Sequence, residues 1–186
     1  MWYPKGGMGV GPQRILGIDP GTLCVGYGVI ETHAERGGAF EYLECGVLRP
    51  CKTLEVPVRI AEIAAGLTEI IEELRPTAVA LEKAYYGKNA ASALKLGQAR
   101  GAIMLLTAQH HLPTFEYAPS TIKQQVVGHG RATKAQVQAR IQMLFRLRKT
   151  PSSDAADALA IALCHGHSAP ARIQDVESDA QTRTLS

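Results

Sequence analysis

Four carboxylates in this chain stand where chemistry could use them. Asp19 closes the apolar run "RILGID" and is followed at once by Pro-Gly-Thr. Glu82 closes a second apolar run, "TAVALE". Asp154 and Asp157 lie three residues apart in "SDAADALAIAL", a spacing that puts both on one face of a helix. Taken singly, each has a plain structural use. Asp-Pro-Gly ends strands, Glu82 could pair with Lys83, and an acid near a helix start is favourable by ~0.3–1 kcal/mol. Asp157 fits such a use least, because it interrupts an otherwise apolar helix a turn further in. Brought together, the four would repel one another unless cations lay between them. Hard oxygen donors suit Mg²⁺ or Mn²⁺. Two such ions, about 3.5–4 Å apart, clamp the attacking and leaving oxygens of a phosphodiester displacement.

The charge distribution points the same way. Between Glu82 and Asp154, residues 83–153 hold eleven Lys or Arg and one acid, Glu116. That local balance of +10 sits in a chain of net charge +3, so the remainder carries −7. So uneven a division implies a polyanionic partner, with phosphates as the natural counterpart.

Elements must carry these residues to one place. Residues 14–19 read as a strand, and "GYGVIE" (26–31) and "AFEYLECGVL" (39–48) as two more, the last two joined by the turn "ERGGA". Helical spacing follows, with Ile60, Ile63, Ala64, Leu67, Ile70, Ile71 and Leu74 on one stripe ended by Pro76. Residues 77–82 read as a buried strand, 89–109 as a helix crowded with small side chains, and 114–118 as a fifth strand. Ser120 is placed to cap the helix "TIKQQVVG", and Thr133 with Gln136 fits a capping box opening a helix to about residue 147. Pro151-Ser152-Ser153 opens the last helix.

The order βββαβαβααα predicts an α/β fold, with an antiparallel meander joined to parallel strands in a mixed five-stranded sheet flanked by helices. If the first and fourth strands are parallel neighbours, their C-terminal ends bring Asp19 and Glu82 together, at the sheet edge where α/β proteins bind ligands. Three segments are expected: a flexible extension over 1–13, one domain over 14–167, and a mobile tail over 168–186. No run approaches the ~18 apolar residues of a membrane span, and the N-terminal stretch lacks a signal-like apolar core, so a cytoplasmic protein is expected. Cys24, Cys45, Cys51 and Cys164 match no zinc module and read as reduced thiols; "CHGH" (164–167) is weak evidence for a metal.

At this point the residues resemble a known family. "LGIDPGT" with "GYGVI", "LEKAYYGKNAASALKLGQARG", "TIKQQVVGHGRATKAQVQ" and "DAADALAIAL" occur in the order found in the RuvC-type Holliday junction resolvases, of ribonuclease H-like fold, from residue 14 to about 165. The resemblance implies a homodimeric, divalent-metal-dependent endonuclease of DNA recombination and repair. It would cut two strands of like polarity symmetrically across a four-way junction, using Mg²⁺ or Mn²⁺, with two ions per site. It puts catalytic and metal-binding roles on Asp19, Glu82, Asp154 and Asp157, and phosphate-binding or transition-state roles on Lys123 and Lys134. Lys88 and Arg131 of the basic block join these as DNA-binding candidates. Tyr85 stands where some relatives have Phe and keeps the ability to stack on an unpaired base. Some relatives carry His where this chain has Asp154. A partnership with the RuvA–RuvB branch-migration complex is also implied, and the small-residue helix 89–109 is the candidate dimer interface.

Rival readings are weaker. "GIDPGT" is similar to the first phosphate loop of actin- and hexokinase-like ATPases, but those need a second domain and a further Gly-rich motif. Another ribonuclease H-like nuclease would share the carboxylates and differ in substrate. A non-catalytic DNA binder would gain nothing from four acids, which repel DNA in the absence of metal.

Overall fold

A computed structural model describes residues 12–33, 38–83 and 90–182, with side chains described up to residue 168. Strand β1 (Gln13–Asp19) divides its side chains between two cores, as a period of two requires. Leu16 and Ile18 pack on one face of the sheet, against helices α1 (Val56–Leu74) and α2 (Ala90–Gln109). Ile15 packs on the other, against α3 (Pro119–Val127), α4 (Lys134–Leu144) and α5 (Ser153–Thr182). Strands β2 (Val25–His33), β3 (Ala39–Leu48), β4 (Ala78–Glu82) and β5 (Thr114–Tyr117) complete the sheet in the order β3-β2-β1-β4-β5. The first three strands are antiparallel, whereas β1–β4 and β4–β5 are parallel. Both the element order and the mixed five-stranded sheet agree with the sequence reading.

The parallel pairing of β1 with β4 runs from Ile15 opposite Ala78 to Ile18 opposite Leu81. One step further along each strand stand Asp19 and Glu82. By alternation Asp19 shares a face with Ile15, and Glu82 with Ala80, both members of the α3–α5 core. The two acids therefore leave the sheet together, on the side where α5 lies.

α5 is unusual in being buried almost all round from Ala155 to His165, wedged between the sheet and α3–α4. Leu159, Ile161 and Leu163 are fully buried, each contributing roughly 1.5–3 kcal/mol by leaving water. Small residues let this helix approach the sheet. Gly17 and Gly28 face each other across β1 and β2, and Gly26 faces Asp19. A Cβ on Gly17 would come 2.1 Å from the Ala158 carbonyl oxygen, and one on Gly26 would come 2.0 Å from that of Asp154. On Gly28 it would meet Leu159 Cγ at 2.7 Å. Only glycine fits these three contacts.

Helix ends follow local chemistry. Thr133 and Gln136 form the expected capping box at the start of α4. Ser152 Oγ accepts from the Ala155 N–H at 3.3 Å, at the start of α5. α1 ends on Arg75, in a left-handed conformation (φ 47), just before Pro76. Ser120, by contrast, is not a cap. Ala118 occupies that position without a side-chain bond, and Pro119, whose fixed φ suits the first helical turn, starts α3. α4 also stops earlier than expected, at Leu144. α5 continues as helix to Thr182, into the stretch 168–186 expected as a mobile tail. Of the extension expected over residues 1–13, residues 1–11 lie outside the described residues and Gln13 already belongs to β1; most of the β2–β3 turn also lies outside them.

Gly17→Ala is expected to cost about 1–3 kcal/mol, as overpacking of a full core does, because α5 must retreat from β1. A denaturant melt reads this directly; an unchanged midpoint would contradict the contact.

Candidate active site

β1 and β4 deliver Asp19 and Glu82 side by side, and the first turns of α5 deliver Asp154 and Asp157 to the same edge. The carboxylates are electrostatic neighbours. Burial first, then Asp157, Glu82 and Asp154, push Asp19 up to about 7, while Lys134 pulls the other way. Burial and Asp157 likewise raise Glu82, opposed by Lys134, Lys123 and Arg100. Asp19 thus has the other three predicted acids as its electrostatic neighbours.

Lys134 is the nearest cation. Its Nζ donates to Asp157 Oδ2 at 2.9 Å, and its own pKa is raised, chiefly by that bond. The capping box fixes it there, since Lys134 is the first residue of α4 after Thr133. Most of its side chain stays exposed, so the ammonium bridges the acids and the solvent. Lys123 on α3 is half-buried and acts on Glu82. Arg131 is exposed between α3 and α4. Tyr85 and Lys88 lie outside the described residues.

Two site neighbours escaped the sequence reading. Cys24, just before β2, donates its thiol to Asp154 Oδ2 at 3.0 Å. Burial and Asp154 push that thiol up to about 11, so it stays protonated at neutral pH. Arg100, counted above in the basic block, is turned inward from α2. It donates to the Glu82 carbonyl and pairs with Glu116, the block's one acid. The "CHGH" stretch serves packing: His165 bonds the Tyr117 hydroxyl at 2.7 Å and stacks on Phe115, and His167 meets Phe40 edge-on. At the far end of β2, Glu31, His33 and Glu41 also converge, but Arg14 pairs with Glu31 at 2.6 Å.

The donor set fits divalent cations. Four carboxylates sharing partly buried space, with one lysine ammonium in bonding contact, hold more negative charge than their protein partners balance. All the donors are hard oxygens, which suit Mg²⁺ or Mn²⁺ over softer ions.

An acidic cluster at the C-terminal ends of β1 and β4, under a sheet of this strand order, defines a ribonuclease H-like nuclease fold. The family model for "Crossover junction endodeoxyribonuclease RuvC" matches residues 15–165. The chain is 49% identical over 153 residues to the crossover junction endodeoxyribonuclease RuvC of Vibrio vulnificus (strain CMCP6), covering 82% of this chain and 86% of the relative. Thermus thermophilus RuvC superposes with a TM-score of 0.76 at 31% identity, over 85% of this chain and 96% of that one. The same protein in complex with Holliday junction substrate gives 0.75 at 32%, over 82% and 92%. This chain belongs to the RuvC family of crossover junction endodeoxyribonucleases.

The raised Asp19 has a thermodynamic consequence. Unfolded, it would titrate near the ordinary carboxyl value of 3.8; folded, it holds its proton up to about 7. Between those values the folded state binds more protons, so Asp19's contribution to stability falls as pH rises. Asp19→Asn removes this penalty. In metal-free buffer the variant is expected to melt higher than wild type at pH 8, by at most about 4 kcal/mol in stability, with the gap closing near pH 4. Added Mg²⁺ should raise the wild-type melt more than the variant's. A variant that melts lower at pH 8 would contradict the electrostatic account.

Proposed function

We propose that this chain resolves four-way DNA junctions, cutting two strands of like polarity symmetrically by hydrolysis, with divalent ions held by Asp19, Glu82, Asp154 and Asp157. The observation that carries the reading is the meeting of the four acids with Lys134 and Lys123 at one sheet edge. When bound, a pair of Mg²⁺ or Mn²⁺ ions would polarise the scissile phosphodiester and favour attack by water. The protein supplies the frame. Asp19 and Glu82 sit on strands and Asp154 and Asp157 on a buried helix, so the donors are held on rigid elements. Lys134 keeps an exposed ammonium against Asp157, where it can meet a phosphate oxygen and balance charge that builds in the transition state. Lys123, Lys88 and Arg131 extend the surface for backbone phosphates, and Tyr85 supplies a ring for an unpaired base at the crossover.

A four-way junction has two equivalent strands to cut, which a two-fold dimer meets with two equivalent sites. α2 offers the matching face. Leu94 (66% exposed), Gly97, Gly101, Met104 and Leu105 (60% exposed) recur at helical spacing on its outer side. A Cβ on Gly97 or Gly101 would meet nothing within 4 Å among the described residues. A second copy is the occupant that fits this reading. It also takes the RuvA–RuvB branch-migration complex as a partner and the cytoplasm as the place of action. No helix among the described residues is long and apolar enough to cross a membrane.

Glu82→Gln and Asp157→Asn are expected to lower nicking of a four-way junction roughly a hundredfold or more, since even the outer partners of a metal site cost 10–100-fold. Gel-shift affinity for the same junction in EDTA should persist. Near-wild-type nicking by both variants would remove the shared site. Gly97→Leu should leave the melting temperature of the chain within a few degrees while shifting its mass in solution to that of a monomer, read by light scattering. A dimer that survives this substitution would place the interface elsewhere.

A further inference from the structure

The loop between β1 and β2 spans residues 20–24 and ends on Cys24, which touches Asp154 in the first turn of α5. It is tightly folded: a Cβ on Gly21 would lie 2.3 Å from the Cys24 carbonyl oxygen. Cys24 is thereby held at the end of the loop, half-buried, with its Sγ 3.0 Å from Asp154 Oδ2. The backbone of Asp154 is seated as well, since its carbonyl oxygen fills the space a Gly26 side chain would need. Main chain and carboxylate of one residue are thus fixed from two neighbouring positions, Gly26 and Cys24. The remaining side-chain oxygen of Asp154 is left with a defined direction.

We propose that Cys24 is a positioning residue, whose S–H donates to Asp154 Oδ2 and holds that carboxylate in the orientation that receives a divalent ion. This rests on the reading of Asp154 as a metal ligand. An outer hydrogen bond to a ligating carboxylate fixes its rotamer before the ion arrives, so the entropy of ordering it is not lost on binding. A thiol is a weak donor, so the effect belongs at the low end of what outer partners contribute. Serine offers a donor of similar size in the same place, and alanine removes the donor.

The test is Mn²⁺ binding to the DNA-free full-length protein, followed by electron paramagnetic resonance of the free ion, beside a thermal melt. Asp154→Asn is included as the reference. Cys24→Ala is expected to weaken Mn²⁺ binding about three- to tenfold, with a melting temperature close to wild type, and Cys24→Ser to bind within about twofold of wild type. Junction nicking should need correspondingly more Mn²⁺ in Cys24→Ala. If Cys24→Ala binds Mn²⁺ like wild type while Asp154→Asn binds weakly, the inference is overturned and the metal-site reading stands. If neither variant changes binding, both fail. Equal weakening in Cys24→Ala and Cys24→Ser, or a large loss of melting temperature in both, would make Cys24 a packing residue only and would also overturn the proposal.

Discussion

The close seat of α5 on β1 and β2 is the contact on which the rest of this structure depends. Gly17, Gly26 and Gly28 present bare backbone to the helix, and Ala158 and Ala162 come down on it. The approach is too close for any side chain between them. It does two things at once. It closes the core on the α3–α5 face of the sheet, and it brings the first turn of α5 to the C-terminal end of β1. Asp154 and Asp157 are at Asp19 because the helix cannot lie elsewhere. A bulkier seat would raise the helix by the thickness of a side chain and carry both acids away from the strand ends.

That seat holds together charges that oppose it. Asp157 and Glu82 raise the cost of ionising Asp19, Asp157 raises that of Glu82, and Lys134 offsets only part of each. The strain is tolerable because the backbone beneath is over-determined by fully buried Leu159, Ile161 and Leu163. Apolar burial, which is indifferent to pH and metal, holds the frame. The acids remain free to exchange protons for cations without the elements moving. A site on loops would relax away from its own repulsion and would then have to be reassembled at each binding event.

What could be read from the sequence divides along physical lines. Asp19 and Glu82 were legible because each ends an apolar run, and strand ends are where α/β sheets expose residues. Asp157 was legible as an acid in the wrong place for an apolar helix. The parallel pairing of β1 with β4 entered only as a condition for bringing Asp19 to Glu82, and the sheet meets it. Glycines at 17, 26 and 28 were visible as letters, but their use depends on which helix crosses which strands, a long-range fact that no local pattern carries. The basic block shows the same limit. A count of charges gave Arg100 the same weight as Lys134, yet one is buried on Glu116 and the other reaches solvent beside Asp157. Orientation on a helix distinguishes them, and a count is blind to it. Ser120 failed as a cap for a local reason, since Pro119 is a stronger helix starter than a serine one residue later. Cys24 gave no signal at all, because a lone thiol in a loop acquires meaning only from what folds over it.

Arg100 also joins two features that otherwise look separate. On its inner side, α2 sends this guanidinium to the Glu82 carbonyl, where β4 leaves the sheet, and to Glu116 on β5. On its outer side the same helix carries Leu94, Leu105 and the two open glycines. Buried, with a carboxylate and a carbonyl as acceptors, Arg100 cannot let go of the strand without leaving its own guanidinium uncompensated, although the Glu116 side chain is 37% exposed and open to water. A displacement of α2 would therefore be felt at Glu82. In the proposed dimer the two copies of α2 set the distance between the two sites, and Arg100 ties each copy to its own strand exit. The spacing of the cuts would then be a property of helix packing and not of the loops that touch DNA.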